Sequence, residues 1–308
     1  MTNSHSELPL KVSNLHKSYG SFNVLRNLNL ELARNSIHGL VGLNGSGKTT
    51  TLECILGMQG FNSGDIEVLG YRPSHLYKAR GAIVGIFDTP SLHPNLTVRQ
   101  SLDHARLLCD KPVRSSAEVE SLLGITRYQG FKIRHLSLGN KRRASIAHAL
   151  LGNPELIILD EPFNGLDAEG VDDVLRLIRQ LNQEQGTAFL LSSHQLPYLE
   201  QICSHLAILH EGTIALSDRI EALFEGNKTR IVIRCDQPEK AIELVEKSAM
   251  ATLIEAEGSL LQFELLTGKP AKINQLLVSS GIEVSELTQK KESLTSLFHQ
   301  ITSVEGVQ

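Results

Sequence analysis

An α/β core followed by a smaller α+β unit is the fold class that this sequence predicts. Three observations carry it. Short apolar runs that close on polar or glycine-rich turns, SIHGLV, LIILDEP and TAFLLSSH, read as buried strands. Between them stand segments with apolar residues at helical spacing, KTTTLECILGM, NKRRASIAHALLG and VDDVLRLIRQLNQ. Past Phe224 the pattern changes at EGNKT, and a stretch the size of a small domain follows with its own order of strands and helices.

In chain order, LKVSNLHKSY and VLRNLNLEL alternate as short strands do, and SIHGLV is a buried strand running into a glycine-rich turn. The helix KTTTLECILGM follows, with Gly57 suited to its end. TVRQSLDHARLLC, SAEVESLLGI and NKRRASIAHALLG are read as helices, ELIILDEP as a strand, VDDVLRLIRQLNQ as an amphipathic helix and TAFLLSSH as a further buried strand. HLAILHEGTIAL reads as a hairpin turning at Glu211 and Gly212. The EGNKT joint divides the chain into domains 1–225 and 226–308. The second reads as strand, helix, strand, strand, helix, strand and a trailing helix, a ferredoxin-like order.

Length and composition bound the function. At roughly 150 residues per domain, 308 residues suit a large domain and a small one. With 41% hydrophobic and 21% charged residues, the chain is neither disordered nor fibrous. Its 30 Lys and Arg against 34 Asp and Glu give a net charge of -4, without the basic footprint of a dedicated nucleic-acid binder, so no nucleic-acid partner is expected. The cysteines at 54, 109, 203 and 235 form no CxxC pair and no zinc spacing, and are read as free thiols of a reducing compartment. MTNSHSELPL lacks a basic n-region and an apolar h-region, and no apolar run reaches about 18 residues, so neither a signal peptide nor a membrane span is expected.

The strongest motif is GLNGSGKT, which fits G-x-x-x-x-G-K-[ST] with a strand before it and a helix after it. In such a loop, Gly42, Leu43, Asn44, Gly45, Ser46 and Gly47 turn consecutive N–H groups inward onto phosphate oxygens. Lys48 adds a positive charge for the β- and γ-phosphates, Thr49 offers a hydroxyl to Mg²⁺, and Thr50 completes the binding stretch. A merely structural glycine turn is the alternative, and the flanking strand and helix weigh against it. In LIILDEP, Asp160 and Glu161 stand at a strand end, where α/β folds bind ligands. Asp160 is expected to hold Mg²⁺ and Glu161 to polarise an attacking water. Alone, two such acids read as readily as a solvated cap.

Together these residues resemble the ATP-binding cassette family, a P-loop NTPase fold with a mixed sheet and a helical subdomain. The resemblance becomes specific at LSLGNKRR, Leu136 to Arg143, between the P-loop and LIILDEP, with 112 positions separating Lys48 from Asp160. It continues through NGLD, similar to the family's D-loop and ending at Asp167, and through His194 at the end of LLSSH, similar to its switch histidine. Tyr19 in HKSYG matches the aromatic that stacks on adenine. The motifs span residues 10 to about 220, in the family order.

Where most members carry glutamine before the membrane-facing loop, this chain has Asp88, which the resemblance implies can still meet Mg²⁺ or the attacking water. Transporter ATPases of bacitracin and lantibiotic self-protection are similar in having an acid there. They also share SLG in place of SGG, a PxLxPNLT-like stretch, and an appended C-terminal domain closing like SLTSLF. Leu138 and Asn140 depart from the signature, while Ser137 and Gly139 keep their hydroxyl and N–H.

The resemblance thus implies an ATPase subunit of a transporter with ATP and Mg²⁺, acting at the cytoplasmic face of a membrane. A second copy would close over the nucleotide with Ser137 and Gly139, with Asp167 coupling the two sites. A separate membrane permease would be contacted near Asp88 to Thr97. Export of an antibiotic, peptide, drug-like molecule or lipid is the implied direction and cargo. A cassette acting on ribosomes or DNA, or a module that binds ATP without turnover, are the rival classes. The first would usually carry two cassettes or a long coiled-coil insertion, and the second would have lost Lys48 or Glu161. Two further readings are bland: Lys141 to Arg143 as a solvated helix face aiding anion binding, and Cys203 and His205 as helical residues pointing apart rather than a metal pair.

Overall fold

The computed structural model describes residues 8–88, 92–109, 111–224, 230–267, 269–290 and 293–303. Two compact units divide the chain, the first closing at Ile220 and the second opening at Glu221. The joint expected at EGNKT lies outside the described residues.

The first unit begins with the strands β1 (Leu10–Tyr19), β2 (Phe22–Leu32) and β3 (Ile37–Val41), followed by helix α1 (Lys48–Ile55) and strands β4 (Ser63–Val68) and β5 (Ile83–Ile86). Helices α2 (Val98–Leu108), α3 (Ser116–Leu122) and α4 (Leu138–Ala149) come next. The unit ends with β6 (Leu156–Asp160), α5 (Ala168–Gln185), β7 (Ala188–Ser193), α6 (Leu196–Ile202), β8 (His205–His210) and β9 (Thr213–Arg219).

Every residue of β3, β6 and β7 is buried. That is why these segments are unbroken apolar runs, as strands covered on both faces must be. They lie in a six-stranded sheet of order β5-β6-β7-β3-β8-β9, parallel except for β9 at its edge. The β8–β9 hairpin turns through Glu211 at φ 45° and Gly212 at φ 78°, the twist that a two-residue hairpin needs. A second, antiparallel sheet of order β2-β1-β4 packs through Leu10, Val12, Leu28 and Leu30 into the core that also takes Leu52 and Ile55 of α1. Register fixes the site. Val41 pairs with Ser193 and Asp160 with Ser192, so the ends of β3, β6 and β7 deliver their following loops to one edge of the sheet.

Helices α2 and α3 each begin with a capping box, at Thr97 and Ser115. Arg99 of α2 grips the fully buried Glu120 of α3 with both arms, at 2.7 and 2.5 Å.

The short helix α7 (Ile220–Leu223) lies at the division between the units. The second unit then runs β10 (Arg230–Cys235), α8 (Pro238–Lys247), β11 (Ala251–Glu257), β12 (Leu260–Leu265), α9 (Pro270–Ser279), β13 (Val284–Lys290) and α10 (Leu294–Ser303). Its sheet has the order β11-β12-β10-β13, with every neighbouring pair antiparallel. Ile231, Ile233, Leu261 and Phe263 pack with Ala241 and Val245 of α8 and Ile273 and Leu277 of α9.

Candidate active site

The loop between β3 and α1 closes on itself around backbone positions that only glycine suits. Gly45 and Gly47 have φ of 82° and 106°. A Cβ on Gly42 would lie 2.4 Å from Ser46 Oγ and 2.6 Å from the Leu209 carbonyl. Lys48 folds back over the loop, and its Nζ donates to the carbonyls of Gly42 at 2.8 Å and Leu43 at 3.3 Å. Burial holds the lysine below the usual ammonium range, an effect opposed by Glu161 and Asp160. Ser46 Oγ is buried with no hydrogen-bond partner among the described residues. An orphaned hydroxyl in a glycine-rich loop that leads into a helix N-terminus suits an anion with acceptor oxygens.

At the end of β6, Asp160 is 3% exposed; Thr49 Oγ1 donates to its Oδ2 at 2.9 Å, and the Ser192 hydroxyl donates to its Oδ1. The next residue, Glu161, has a left-handed backbone at φ 47°, a strained conformation for a residue with a Cβ. That turn aims its carboxylate at three partners. Ser193 Oγ donates to Oε2 at 3.2 Å, His194 Nδ1 lies 2.9 and 3.0 Å from the two oxygens, and Lys48 Nζ is 3.8 Å away. Lys48, Thr49, Asp160, Glu161 and His194 line one cavity of about 480 Å³, with Asn44, Gly45, Gly47, Thr50, Asp88, Asn164, Phe22 and Val24.

Asp88, which follows β5, accepts hydrogen bonds at Oδ1 from Arg142 Nη2 at 2.8 Å and Asn164 Nδ2 at 3.2 Å. Residues 89–91 of the segment expected to meet a permease lie outside the described residues.

Ser137, Gly139 and Asp167 line a different cavity, of about 750 Å³, with Leu138, Asn140 and Arg143. Ser137 caps α4, accepting from Asn140 N at 3.3 Å, and Asp167 caps α5, accepting from Gly170 N at 2.9 Å. The two cavities share no lining residue. The chain therefore gathers its candidate residues into two separate sets. Tyr19 lines neither; it pairs with Phe22 across the β1–β2 turn, under the Lys17 ammonium at 4.5 Å from its ring centre, and Phe22 is the aromatic on the cavity wall. Gly42, Leu43 and Ser46 shape the phosphate loop without lining its cavity.

Two sequence expectations are corrected. Arg142 is not on a solvated face: it is 1% exposed, and its guanidinium reaches the carbonyls of Phe87, Asp88 and Asp160 as well as the Asp88 carboxylate. A signal for this existed, because Arg142 stands three, four and seven positions before the buried Ser145, Ile146 and Ala149 and shares their face. Cys203 and His205 are not on one helix; Cys203 is the extended residue capping the end of α6, and His205 opens β8, stacked on His38 at 4.3 Å between ring centres. Sequence reading also missed Ser192 and Ser193, which fix the two acids from the neighbouring strand through pairings that no local pattern encodes.

A phosphate-binding loop facing a buried pair of acids across a parallel sheet defines a nucleoside triphosphatase. Residues 25–164 match the ABC transporter family. The chain is 32% identical over 295 residues to a bacitracin transport ATP-binding protein of Bacillus licheniformis, covering 94% of this chain and 95% of that one. It is 30% identical to a lantibiotic transport ATP-binding protein of Streptococcus pyogenes, covering 70% and 96% of the two chains. A solved ATP-binding subunit of an ABC transporter superposes with a TM-score of 0.64 at 29% identity, covering 70% of this chain and 92% of that one. This chain belongs to the ABC transporter ATP-binding family: it is the ATP-binding, ATP-hydrolysing subunit of a transporter. Among the described residues no helix is long and apolar enough to cross a membrane.

Proposed function

We propose that the chain powers export through a separate integral membrane permease, as a pair of identical ATPase subunits held at the cytoplasmic face of the membrane. The observation that carries the hydrolytic part is the meeting of Lys48, Glu161 and His194 in one cavity with the Thr49–Asp160 contact. Tyr19 beside Phe22 would receive the adenine, and Gly42 to Thr50 the phosphates. The touching hydroxyl and carboxylate of Thr49 and Asp160 suit Mg²⁺, which takes few protein ligands and the rest from phosphate and water. Bound there, Mg²⁺ would neutralise charge on the phosphates. Glu161 accepts a proton from, or orients, the attacking water, and Lys48 balances charge on the γ-phosphate. His194, held through Nδ1 by Glu161, keeps its other ring nitrogen for that phosphate.

The separation of Ser137, Gly139 and Asp167 from this cavity supports the dimer, because a second copy can bring its own set over the first copy's nucleotide. Export of a peptide antibiotic or similar molecule rests on the likeness to the bacitracin and lantibiotic relatives. The test is ATP turnover by the purified chain with and without the membrane protein that copurifies from its host, beside Glu161→Gln. Turnover that rises with the membrane protein and vanishes in the variant supports a transport motor; turnover indifferent to any membrane partner refutes it.

A further inference from the structure

We infer that Arg142 is a positioning residue for hydrolysis, which holds and neutralises Asp88 at the rim of the nucleotide cavity from helix α4. The inference rests on the assignment of that cavity to ATP hydrolysis and adds a residue to it. Arg142 lies outside the cavity lining, yet its buried fork holds Asp88 twice, donating through Nη2 to the carbonyl at 2.7 Å and to Oδ1 at 2.8 Å. Nη1 reaches the carbonyls of Phe87 and Asp160 at 3.3 Å each, tying together the ends of β5 and β6. A planar guanidinium can satisfy four such acceptors at once, whereas an ammonium cannot match the fork.

The consequence for Asp88 is specific. Its Oδ1 is taken by Arg142 and Asn164, and Oδ2 accepts no hydrogen bond among the described residues. The free oxygen belongs to a side chain that lines the cavity with Asp160 and Glu161. Three carboxylates facing a triphosphate repel it, and a buried cation on the far side of one of them removes that repulsion while leaving an acceptor for water. Arg142 also stands on the helix that Ser137 caps, so one helix reaches from the lining of the second cavity to the rim of the first.

A double-mutant cycle on the full chain tests this: Arg142→Gln, Asp88→Ala and the pair, with kcat and KM for ATP measured on each, and Glu161→Gln as control. The expected result is roughly a tenfold to hundredfold loss of kcat/KM in Arg142→Gln, the scale of a lost hydrogen bond to a charged group, with kcat falling as Asp88 loses its position and KM rising as its charge again repels the nucleotide. In the Asp88→Ala background the same change should cost little. Should Arg142→Gln fail to fold, Arg142→Lys keeps the buried charge and runs the same cycle. An equal loss in both Asp88 backgrounds makes Arg142 a structural residue only and overturns the inference, as does unchanged kcat. If Glu161→Gln hydrolyses ATP like the native chain, the assignment of the cavity itself fails.

Discussion

Replacing Glu161 with glutamine should separate binding from hydrolysis in opposite directions. The side chain keeps its size and its contacts with Ser193 and His194 but loses its charge. Lys48 Nζ stands 3.8 Å from Oε1 in a nearly buried site, which at an effective dielectric constant near 20 is an attraction of about 4 kcal/mol. An incoming triphosphate competes with the carboxylate for that ammonium and is repelled by the carboxylate as well. If relaxation and screening leave a third of that energy, ATP binds about tenfold more tightly to the variant. The same substitution removes the general base, a loss of roughly a hundredfold to ten-thousandfold in turnover. Equilibrium binding of ATP by calorimetry, beside steady-state phosphate release, measures both. Binding weakened tenfold, or turnover close to that of the native chain, would refute the reasoning.

Three other outcomes are expected. Gly47→Ala places a Cβ 2.7 Å from Leu25 Cδ2 at φ 106° and should abolish nucleotide binding, read by the same calorimetry. Glu120→Ala strands Arg99, whose side chain is 35% exposed and so partly rehydrated; the cost is about 2 kcal/mol, or roughly 4 to 8 °C in Tm by thermal denaturation. Acid should unfold the first unit through two histidines. Burial, with His205 nearby, pushes His38 down to about 3, and burial, with His104 nearby, pushes His148 down to about 4. Both are neutral in the fold at pH values where the unfolded chain begins to protonate them. Their stabilising contribution is therefore full above about pH 6.5 and falls by about 1.4 kcal/mol per histidine per pH unit toward their folded values. Urea midpoints at pH 7, 6 and 5 measure the slope, and His38→Gln should flatten it.

The phosphate loop and the acids of LIILDEP were legible in the sequence because their function depends on residues adjacent in the chain, where spacing alone fixes geometry. The succession of C-terminal strands and helices was legible for a similar reason, since alternation and turns are local. Arg142 was not, because its main partner, Asp88, lies 54 positions upstream. Within KRR, only the phase of the later apolar residues shows which arginine turns inward. Tyr19 and Phe22 stand opposite each other across a turn, and residue type alone does not tell which of them lines the cavity. Ser192 and Ser193 look like an ordinary strand end until β7 is placed beside β6.

The left-handed backbone of Glu161 has a consequence for how this chain tolerates drift. A glycine at that position would relieve strain of order 1 to 2 kcal/mol but forfeit the carboxylate's contacts with Ser193, His194 and Lys48 and free the unfolded chain, so the two effects oppose each other. Glu161→Gly should therefore melt close to the native chain while losing turnover, which separates the residue's conformational cost from its chemical role.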